Sequence, residues 1–174
     1  MKYRVINNFL DEEYFDSLVT LFTDKEKTGN TKMPWFFQST VVGDGVVEDN
    51  LFYMTHLLYD GNEPRSGLYK NLFPLLEKLK MKSLIRIKAN LFPNTEILHE
   101  HPLHTDDNFS HSAAILSLNT CDGYTKLKDG TKIDSVANRV LLFDPNEKHC
   151  STTTTNDVAR FNININYIQE ENRK

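Results

Sequence analysis

Four of the six histidines lie in the stretch HEHPLHTDDNFSH, which covers residues 99–111. Within it, His104 and Asp106 are two residues apart, so on an extended chain both side chains project to the same side. Such a pair can supply two ligands to one metal ion. The best candidate for a third ligand is His149, 43 residues after Asp106, which follows a predicted strand that ends in FDPNEK.

Two histidines and one carboxylate on one face of an octahedral ion leave three positions open, which suits non-heme Fe(II) oxygen chemistry. Arg160 lies eleven residues beyond His149, at the start of a strongly alternating segment. Its planar cation can bind a carboxylate through two parallel hydrogen bonds. The sequence therefore predicts a metal site with a carboxylate-binding arginine beside it.

Each candidate also has a simpler interpretation. His104 can belong to an exposed turn that Asp106 caps, and His149 can be an ordinary surface histidine. An exposed salt bridge is the corresponding alternative for Arg160. We leave three other histidines outside the metal site as exposed, supporting or substrate-facing residues: His99, His101 and His111.

A zinc-protease motif is excluded by spacing. That motif needs two histidines four residues apart on a helix, with a glutamate between them. His99 and His104 are five residues apart, and Pro102 would break the helical turn.

The order H-x-D, distal histidine, then arginine resembles the Fe(II)- and 2-oxoglutarate-dependent dioxygenases, particularly the prolyl 4-hydroxylase-like branch with its small bacterial and phage-encoded members. Here the motif reads His104-Thr105-Asp106, His149 and Arg160. The segments VINNFLDEEYF, LNTCDGYTKLKDG and NRVLLFD are also similar to that branch. The resemblance thus spans most of the chain.

This resemblance implies an enzyme that hydroxylates a C–H bond with Fe(II), 2-oxoglutarate and dioxygen, and it allows ascorbate as a further cofactor. His104, Asp106 and His149 would be the metal ligands and catalytic residues. The branch favours a peptidyl proline or another protein side chain as substrate, and a small molecule stays open. The alternatives are a cupin-like module that binds a metal or a sugar without oxidation, and a structural or virion-associated protein with a retained site.

The resemblance also implies three cosubstrate-binding residues. Arg160 would bind the distal carboxylate of 2-oxoglutarate, and Asn162 falls where family members often carry a serine or another hydrogen-bonding residue. In the family a tyrosine on an earlier strand frequently touches the cosubstrate. No tyrosine stands on the corresponding face here, and we take Asn90 as its substitute.

The N-terminal half carries the predicted helices. After a strand at Tyr3–Ile6, Asp11 is a plausible N-cap, and an apolar helix face follows: Phe15, Leu18, Val19 and Phe22. Residues 35–42 predict a strand and residues 49–59 a short helix. Residues 67–80 form a second amphipathic pattern, with Pro74 in its first turn or at a kink.

Beyond residue 83 the apolar period changes to two, which is typical of strands. Strands are predicted around 85–91, 113–118, 124–128, 131–134 and 139–144, and Asp129-Gly130 predicts a type I′ hairpin. In the last strand, ARFNININYI (159–168), we expect the apolar side to pack beneath the helices and the polar side to face a barrel interior. We assign no role to Asn164 and Asn166.

These patterns predict an α+β, mainly β fold, a sandwich or barrel with helices on one outer face. The resemblance specifies it as a double-stranded β-helix, a jelly-roll or cupin-like barrel with N-terminal helices on the outer face of the major sheet. We expect one domain over residues 1–174, with helical support in 1–82 and the barrel core in 83–168. The segments 23–34 and 60–66 are candidates for the barrel mouth.

Charge and composition limit the partners. The 174 residues carry 20 basic and 24 acidic side chains, a net charge of -4, which argues against nucleic acid as a partner. No signal peptide or long apolar span is evident, so we expect a soluble cytoplasmic protein, in the host cytoplasm if phage-encoded, with no membrane association. Cys121 and Cys150 are expected to be free thiols. The oligomeric state is open.

Overall fold

The computed structural model describes residues 3–23, 33–41 and 51–169. Its elements are, in chain order, β1 (Tyr3–Ile6), α1 (Glu12–Phe22), β2 (Phe36–Gln38), β3 (Tyr53–Asp60), β4 (Glu63–Pro64), a 3-10 helix (Gly67–Leu72), α2 (Phe73–Leu79), β5 (Met81–Pro93), β6 (Ser112–Ser117), β7 (Tyr124–Leu127), β8 (Lys132–Asp134), β9 (Arg139–Phe143), β10 (His149–Ser151) and β11 (Ala159–Gln169).

The strands form two antiparallel sheets that face each other. The large sheet has the order β1-β9-β6-β11-β5-β3-β2, with β4 paired to β3, and the small sheet has the order β10-β7-β8. Leu127 and Ile133 of the small sheet pack on Ala113, Ile115 and Leu141 of the large one. This arrangement is the predicted double-stranded β-helix.

The two helices cover the outer face of the large sheet. The apolar face predicted for α1 is buried, as are Leu75, Leu76 and Leu79 of α2. These side chains form one core with Ile163 and Ile165 of β11. The apolar side of the last strand therefore packs beneath the helices, as its alternation predicts, and the polar side is left for the space between the sheets.

Asn138 connects the segment before α1 to the barrel through hydrogen bonds. Its backbone has a φ of 59°, in the left-handed region. Its side chain accepts a hydrogen bond from the Leu10 amide at 2.8 Å and donates one to the Leu10 carbonyl oxygen at 2.8 Å. The Phe9 amide donates to the Asn138 carbonyl oxygen at 2.9 Å. One short polar side chain thus satisfies two buried backbone groups next to the helix start.

The helix predicted at residues 49–59 is wrong, because Tyr53–Asp60 forms strand β3. This segment pairs with β5, for example Thr55 with Asn90 and His56 with Ala89. Spacings of three and four residues indicated a helix, but pairing with a neighbouring strand satisfies the backbone over the whole segment. A tertiary contact of this kind overrides a weak local pattern.

Two other elements are shorter or less regular than their patterns predict. The strand expected at 35–42 is confirmed only for Phe36–Gln38, and Val42 lies outside the described residues. The amphipathic pattern at 67–80 divides into a 3-10 helix and α2, with Pro74 in the first turn of α2 as expected. Most of the segment 23–34, a candidate for the mouth, also lies outside the described residues.

The predicted hairpin between β7 and β8 is confirmed, but the prediction of a type I′ turn is wrong. Gly130 has a φ of 88°, whereas Asp129 is not among the described residues with positive φ. The Gly130 amide donates to the Leu127 carbonyl oxygen and the Leu127 amide to the Thr131 carbonyl oxygen, both at 2.9 Å. These bonds fit a three-residue loop in which a glycine follows a type I turn.

Among the described residues, no helix is long and apolar enough to cross a membrane. Cys121 and Cys150 are both buried and free, as predicted. The cytoplasmic location stays a prediction.

We predict that Asn138→Ala lowers the free energy of unfolding by about 2–4 kcal/mol. It removes two buried hydrogen bonds and replaces asparagine, which tolerates the left-handed region, by alanine, which disfavours it. Urea denaturation followed by circular dichroism measures the change.

The matched control is Asn62→Ala, since Asn62 also has a positive φ, 63°, but is exposed. This variant incurs only the backbone cost, about 1 kcal/mol. Equal losses in the two variants would show that the bonds to Leu10 contribute nothing.

Candidate metal centre

His104, Asp106 and His149 converge on one point between the two sheets. The Nε2 atoms of His104 and His149 lie 3.8 Å and 3.5 Å from Asp106 Oδ1. The ligand atoms of all three residues lie within 4.8 Å of one another, and within the described part of the chain no other group of this kind is found. Three ligand atoms this close can share one ion.

A backbone bridge holds the two histidines side by side. The His104 amide donates to the His149 carbonyl oxygen and the His149 amide to the His104 carbonyl oxygen, each at 2.9 Å. The imidazole centroids are 4.6 Å apart. Because the bridge fixes both Cα positions, the separation of the two rings does not depend on loop conformation.

Each imidazole is oriented by a carbonyl oxygen two residues earlier. Nδ1 of His104 lies 3.2 Å from the Pro102 oxygen, and Nδ1 of His149 lies 3.1 Å from the Glu147 oxygen. A carbonyl oxygen can only accept, so Nδ1 of each ring carries a proton, and Nε2 is the atom through which the neutral form of each ring would bind a cation. Burial, followed by the neighbouring His149, lowers the pKa of His104, which favours this neutral form.

Asp106 is ionised although its side chain is only 5% exposed. Burial alone would raise the pKa of Asp106, but a hydrogen bond and charge interaction with His149, followed by the charges of Arg86 and His104, bring it well below its usual value. Asn164 donates its Nδ2 proton to Asp106 Oδ2 at 3.3 Å. This bond leaves Oδ1 directed at the imidazoles.

The cluster lines a small cavity of about 50 Å³ between the sheets. Asn90 and Asn162 line the same cavity, and Nδ2 of Asn90 donates to Oδ1 of Asn162 at 2.9 Å. Both residues lie on the inner face of the large sheet, directly opposite each other on β5 and β11. The polar side of the last strand therefore does face the barrel interior.

Arg160 is a buried cation without a counter-ion in the part of the chain that the structure describes. It is 1% exposed, and its guanidinium donates to Thr125 Oγ1 at 2.9 Å and to the Thr152 carbonyl oxygen at 3.4 Å. Its Nε has no partner, and no carboxylate pairs with it among the described residues. Burial lowers the pKa of Arg160 to about 10, so it stays charged at neutral pH. A buried charge is costly unless paired, so this position favours an anion.

Gly123 leaves the room that the Arg160 side chain occupies. A β-carbon at Gly123 would lie 2.7 Å from Cδ of Arg160, 2.7 Å from the carbonyl oxygen of Thr153 and 3.1 Å from Oγ1 of Thr152. Any larger residue would therefore displace either the arginine or a backbone strand.

Three further cavity-lining residues were not predicted: Tyr53, Lys88 and Thr125. Tyr53 lies on β3, where a helix was expected, and its ring stacks on Phe92 with centroids 5.5 Å apart. Lys88 Nζ donates to the Tyr53 hydroxyl at 3.3 Å. Burial, followed by the charge of Arg86, lowers the pKa of Lys88 to about 8, although the charge of Asp106 acts in the opposite direction. The period-two pattern placed Lys88 on the same strand face as Asn90, and this could have predicted Lys88 as a cavity residue. No sequence pattern indicated Tyr53.

The remaining histidines of the cluster in the sequence lie apart from the candidate ligands. His99 is exposed, whereas His101 is buried with its ring 5.4 Å from that of Phe92. His111 is buried, and its Nδ1 lies 2.8 Å from the Phe109 carbonyl oxygen.

We predict that Gly123→Ala lowers the free energy of unfolding by about 1–3 kcal/mol through overpacking against Arg160. Gly67→Ala is the control, since a β-carbon there meets nothing within 4 Å. It should change stability by no more than about 1 kcal/mol, and in the stabilising direction. Chemical denaturation of both variants tests the close approach, and an unaffected Gly123→Ala would refute it.

The fold is similar to known structures, although no family model and no curated protein matches the sequence. An oxidoreductase of the 2OG-Fe(II) oxygenase family from Burkholderia pseudomallei is 12% identical, with a TM-score of 0.70 over 98% of this chain and 86% of that one. A Trichoplax adhaerens prolyl hydroxylase, in complex with a hypoxia inducible factor peptide fragment, is 16% identical, with a TM-score of 0.64 over 97% and 84%. A Pseudomonas putida prolyl-4-hydroxylase is 13% identical, with a TM-score of 0.61 over 97% and 93%. The chain therefore has the double-stranded β-helix fold of the 2-oxoglutarate/Fe(II) oxygenases, as predicted.

Proposed function

We propose that this protein is an Fe(II)- and 2-oxoglutarate-dependent dioxygenase that hydroxylates a C–H bond of its substrate. The observation that carries the proposal is a cavity lined by a two-histidine, one-carboxylate cluster, with a buried arginine behind its wall that donates to the cavity-lining Thr125 and has no counter-ion among the described residues. The similarity of fold to oxygenases supports it.

The donor set fits ferrous iron. Two imidazoles and one carboxylate are the ligands of the facial arrangement in non-heme Fe(II) oxygenases, which leaves coordination positions open for other ligands. His104, Asp106 and His149 would hold the ion, and Asn164 would keep the Asp106 carboxylate in place. When bound, the ion and 2-oxoglutarate supply the activation of dioxygen that the side chains themselves do not provide.

The cosubstrate would lie along the inner face of β5 and β11. Arg160 would bind its distal carboxylate, with the Thr125 hydroxyl beside the guanidinium. Asn162 accepts from Asn90 through Oδ1, which leaves its Nδ2 group available to donate to the cosubstrate. Arg160 is 1% exposed, so bulk water would screen its contact with the cosubstrate only weakly.

The chain would work as one domain over residues 1–174, with a protein side chain, a peptidyl proline among the candidates, or a small molecule as substrate. One similar structure is a prolyl hydroxylase with a bound peptide, which supports a peptide as a candidate class. Dioxygen would be consumed, and ascorbate is proposed as an accessory cofactor. We also propose a cytoplasmic location, consistent with the two free cysteines.

We predict that His149→Ala lowers succinate formation from 2-oxoglutarate by at least about 100-fold, because one of three ligands is lost. The exposed His99 provides the control, and His99→Ala should keep full activity. Undiminished turnover in His149→Ala would eliminate His149 as a ligand.

Arg160→Met should weaken 2-oxoglutarate binding by about 10- to 100-fold while leaving Fe(II) binding unchanged, because it removes charged hydrogen bonds to the cosubstrate only. Without cosubstrate the variant should be as stable as the parent or more so, since a buried unpaired charge is gone. Anaerobic titration of the visible charge-transfer band of the Fe(II)–2-oxoglutarate complex measures both affinities.

The control for this titration is Arg65→Met, which removes a surface arginine that pairs with Glu63 at 3.4 Å. It should leave both affinities unchanged. If Arg160→Met weakened the binding of iron and of 2-oxoglutarate equally, the arginine would support the fold and not the cosubstrate.

A further inference from the structure

We propose that Lys88 binds a carboxylate of the primary substrate, so that the enzyme acts on a molecule with a carboxylate close to the reacting C–H bond. This inference rests on the proposed function and specifies its substrate class. Four features carry it: the position of Lys88 on the inner sheet face, the lack of a counter-ion for it among residues 3–23, 33–41 and 51–169, the charge balance of the site and the neighbouring Arg86.

Lys88 lies at the metal end of the cavity. On the large sheet it is directly opposite Asn164 of β11, the residue that donates to Asp106. Arg160 is opposite Phe92, four residues further along β5. Four residues of antiparallel strand span about 14 Å. The lysine and the arginine therefore serve different ends of the site.

Lys88 lacks a counter-ion among the described residues. Its Nζ lines the cavity and donates to the neutral Tyr53 hydroxyl at 3.3 Å. No carboxylate of the described chain lies within salt-bridge distance of it, and Asp106 is directed at the two imidazoles instead. A half-buried ammonium with one hydroxyl partner has two further protons to donate.

In the proposed complex with Fe(II) and 2-oxoglutarate, the positive charge of Lys88 would be left without a balancing negative charge. The two positive charges of Fe(II) and the one of Arg160 would be balanced by the single charge of Asp106 and the two carboxylates of 2-oxoglutarate. Lys88 then adds one positive charge beside the open coordination position. In a cavity with little water, this charge is best compensated by an anionic group on the second molecule to enter.

Arg86 extends the positive charge in the same direction. It lies two residues from Lys88 on the same strand face, and among the described residues it forms no ion pair. Its neighbour across the sheet, Asn166, is 1% exposed and has no partner for either polar side-chain atom. Two like charges beside an unsatisfied amide form an unfavourable surface that an anion would relieve.

The test uses acetate as a probe, with neutral acetamide of nearly the same shape as its control. Both are titrated anaerobically into the protein loaded with Fe(II) and 2-oxoglutarate, and the charge-transfer band is followed. Acetate should perturb the band with saturation below 100 mM, and acetamide should require at least a tenfold higher concentration. In Lys88→Met the acetate response should weaken at least tenfold, and Lys88→Arg should retain it.

The affinity for 2-oxoglutarate shows whether Lys88 binds a carboxylate of the primary substrate or one of the cosubstrate. It should change less than threefold in Lys88→Met; a loss as large as that for acetate would mean that Lys88 holds the cosubstrate, which would overturn the inference. Equal responses to acetate and acetamide, or no response to either, would overturn it as well. Failure of the proposed function is distinct, because the band would then be missing before any probe is added.

A second experiment identifies the source of the carboxylate. Free amino acids and their carboxamides, and proline peptides with and without a neighbouring aspartate, are compared by 2-oxoglutarate turnover and by mass increase of the product. Stimulation by either carboxylate series over its neutral counterpart supports the inference and names the source. Preferred hydroxylation of the neutral peptides would contradict it.

Discussion

The two-residue period of β11, in the centre of the large sheet, is the constraint on which the rest of the structure depends. The strand pairs with β5 on one side and β6 on the other, so its backbone groups form hydrogen bonds on both sides. Its side chains can therefore point only to one face of the sheet or to the other. Phe161, Ile163 and Ile165 are in the helix-covered core. Arg160 and the asparagines must therefore point between the sheets, although asparagine is disfavoured in strands. A shift of one residue would exchange the two faces, so packing beneath the helices fixes the register of the site.

The polar interior that results has a cost in folding free energy. Within the described segments, one nitrogen of Arg160 and one or both polar atoms of the buried Asn90 and Asn166 amides have no hydrogen-bond partner. Each such group opposes folding, because burial removes water and supplies no full substitute. The apolar core beneath α1 and α2 offsets this cost. The outer face of the large sheet thus provides stability through its apolar core, and the inner face of the same strands provides the polar groups for binding.

The sequence predicted the elements whose periods are long and regular and failed where tertiary pairing decides. The helix face of α1 and the alternation of β5 and β11 were confirmed, because burial of one face follows from period alone. The helix predicted at residues 49–59 was wrong, because Tyr53–Asp60 is a strand. For the same reason, the sequence did not predict that Tyr53 lines the cavity. The structure brings together His104, Asp106 and His149, and their binding of iron stays a prediction. Thr125 and Gly123 had no local signal, because their contacts with Arg160 arise from the folding of β7 across the barrel.

The histidines show which part of such a site is encoded locally. His104, His149 and His111 each place Nδ1 near the carbonyl oxygen two residues earlier, so the direction in which Nε2 points follows from short-range geometry. His111 shares this arrangement and yet lies apart from the ligand cluster. Ring orientation is therefore not sufficient. What distinguishes His104 and His149 is the backbone bridge between them, which joins residues 45 positions apart. Local bonds orient each imidazole, and the long-range backbone bridge determines which two of them can meet at one ion.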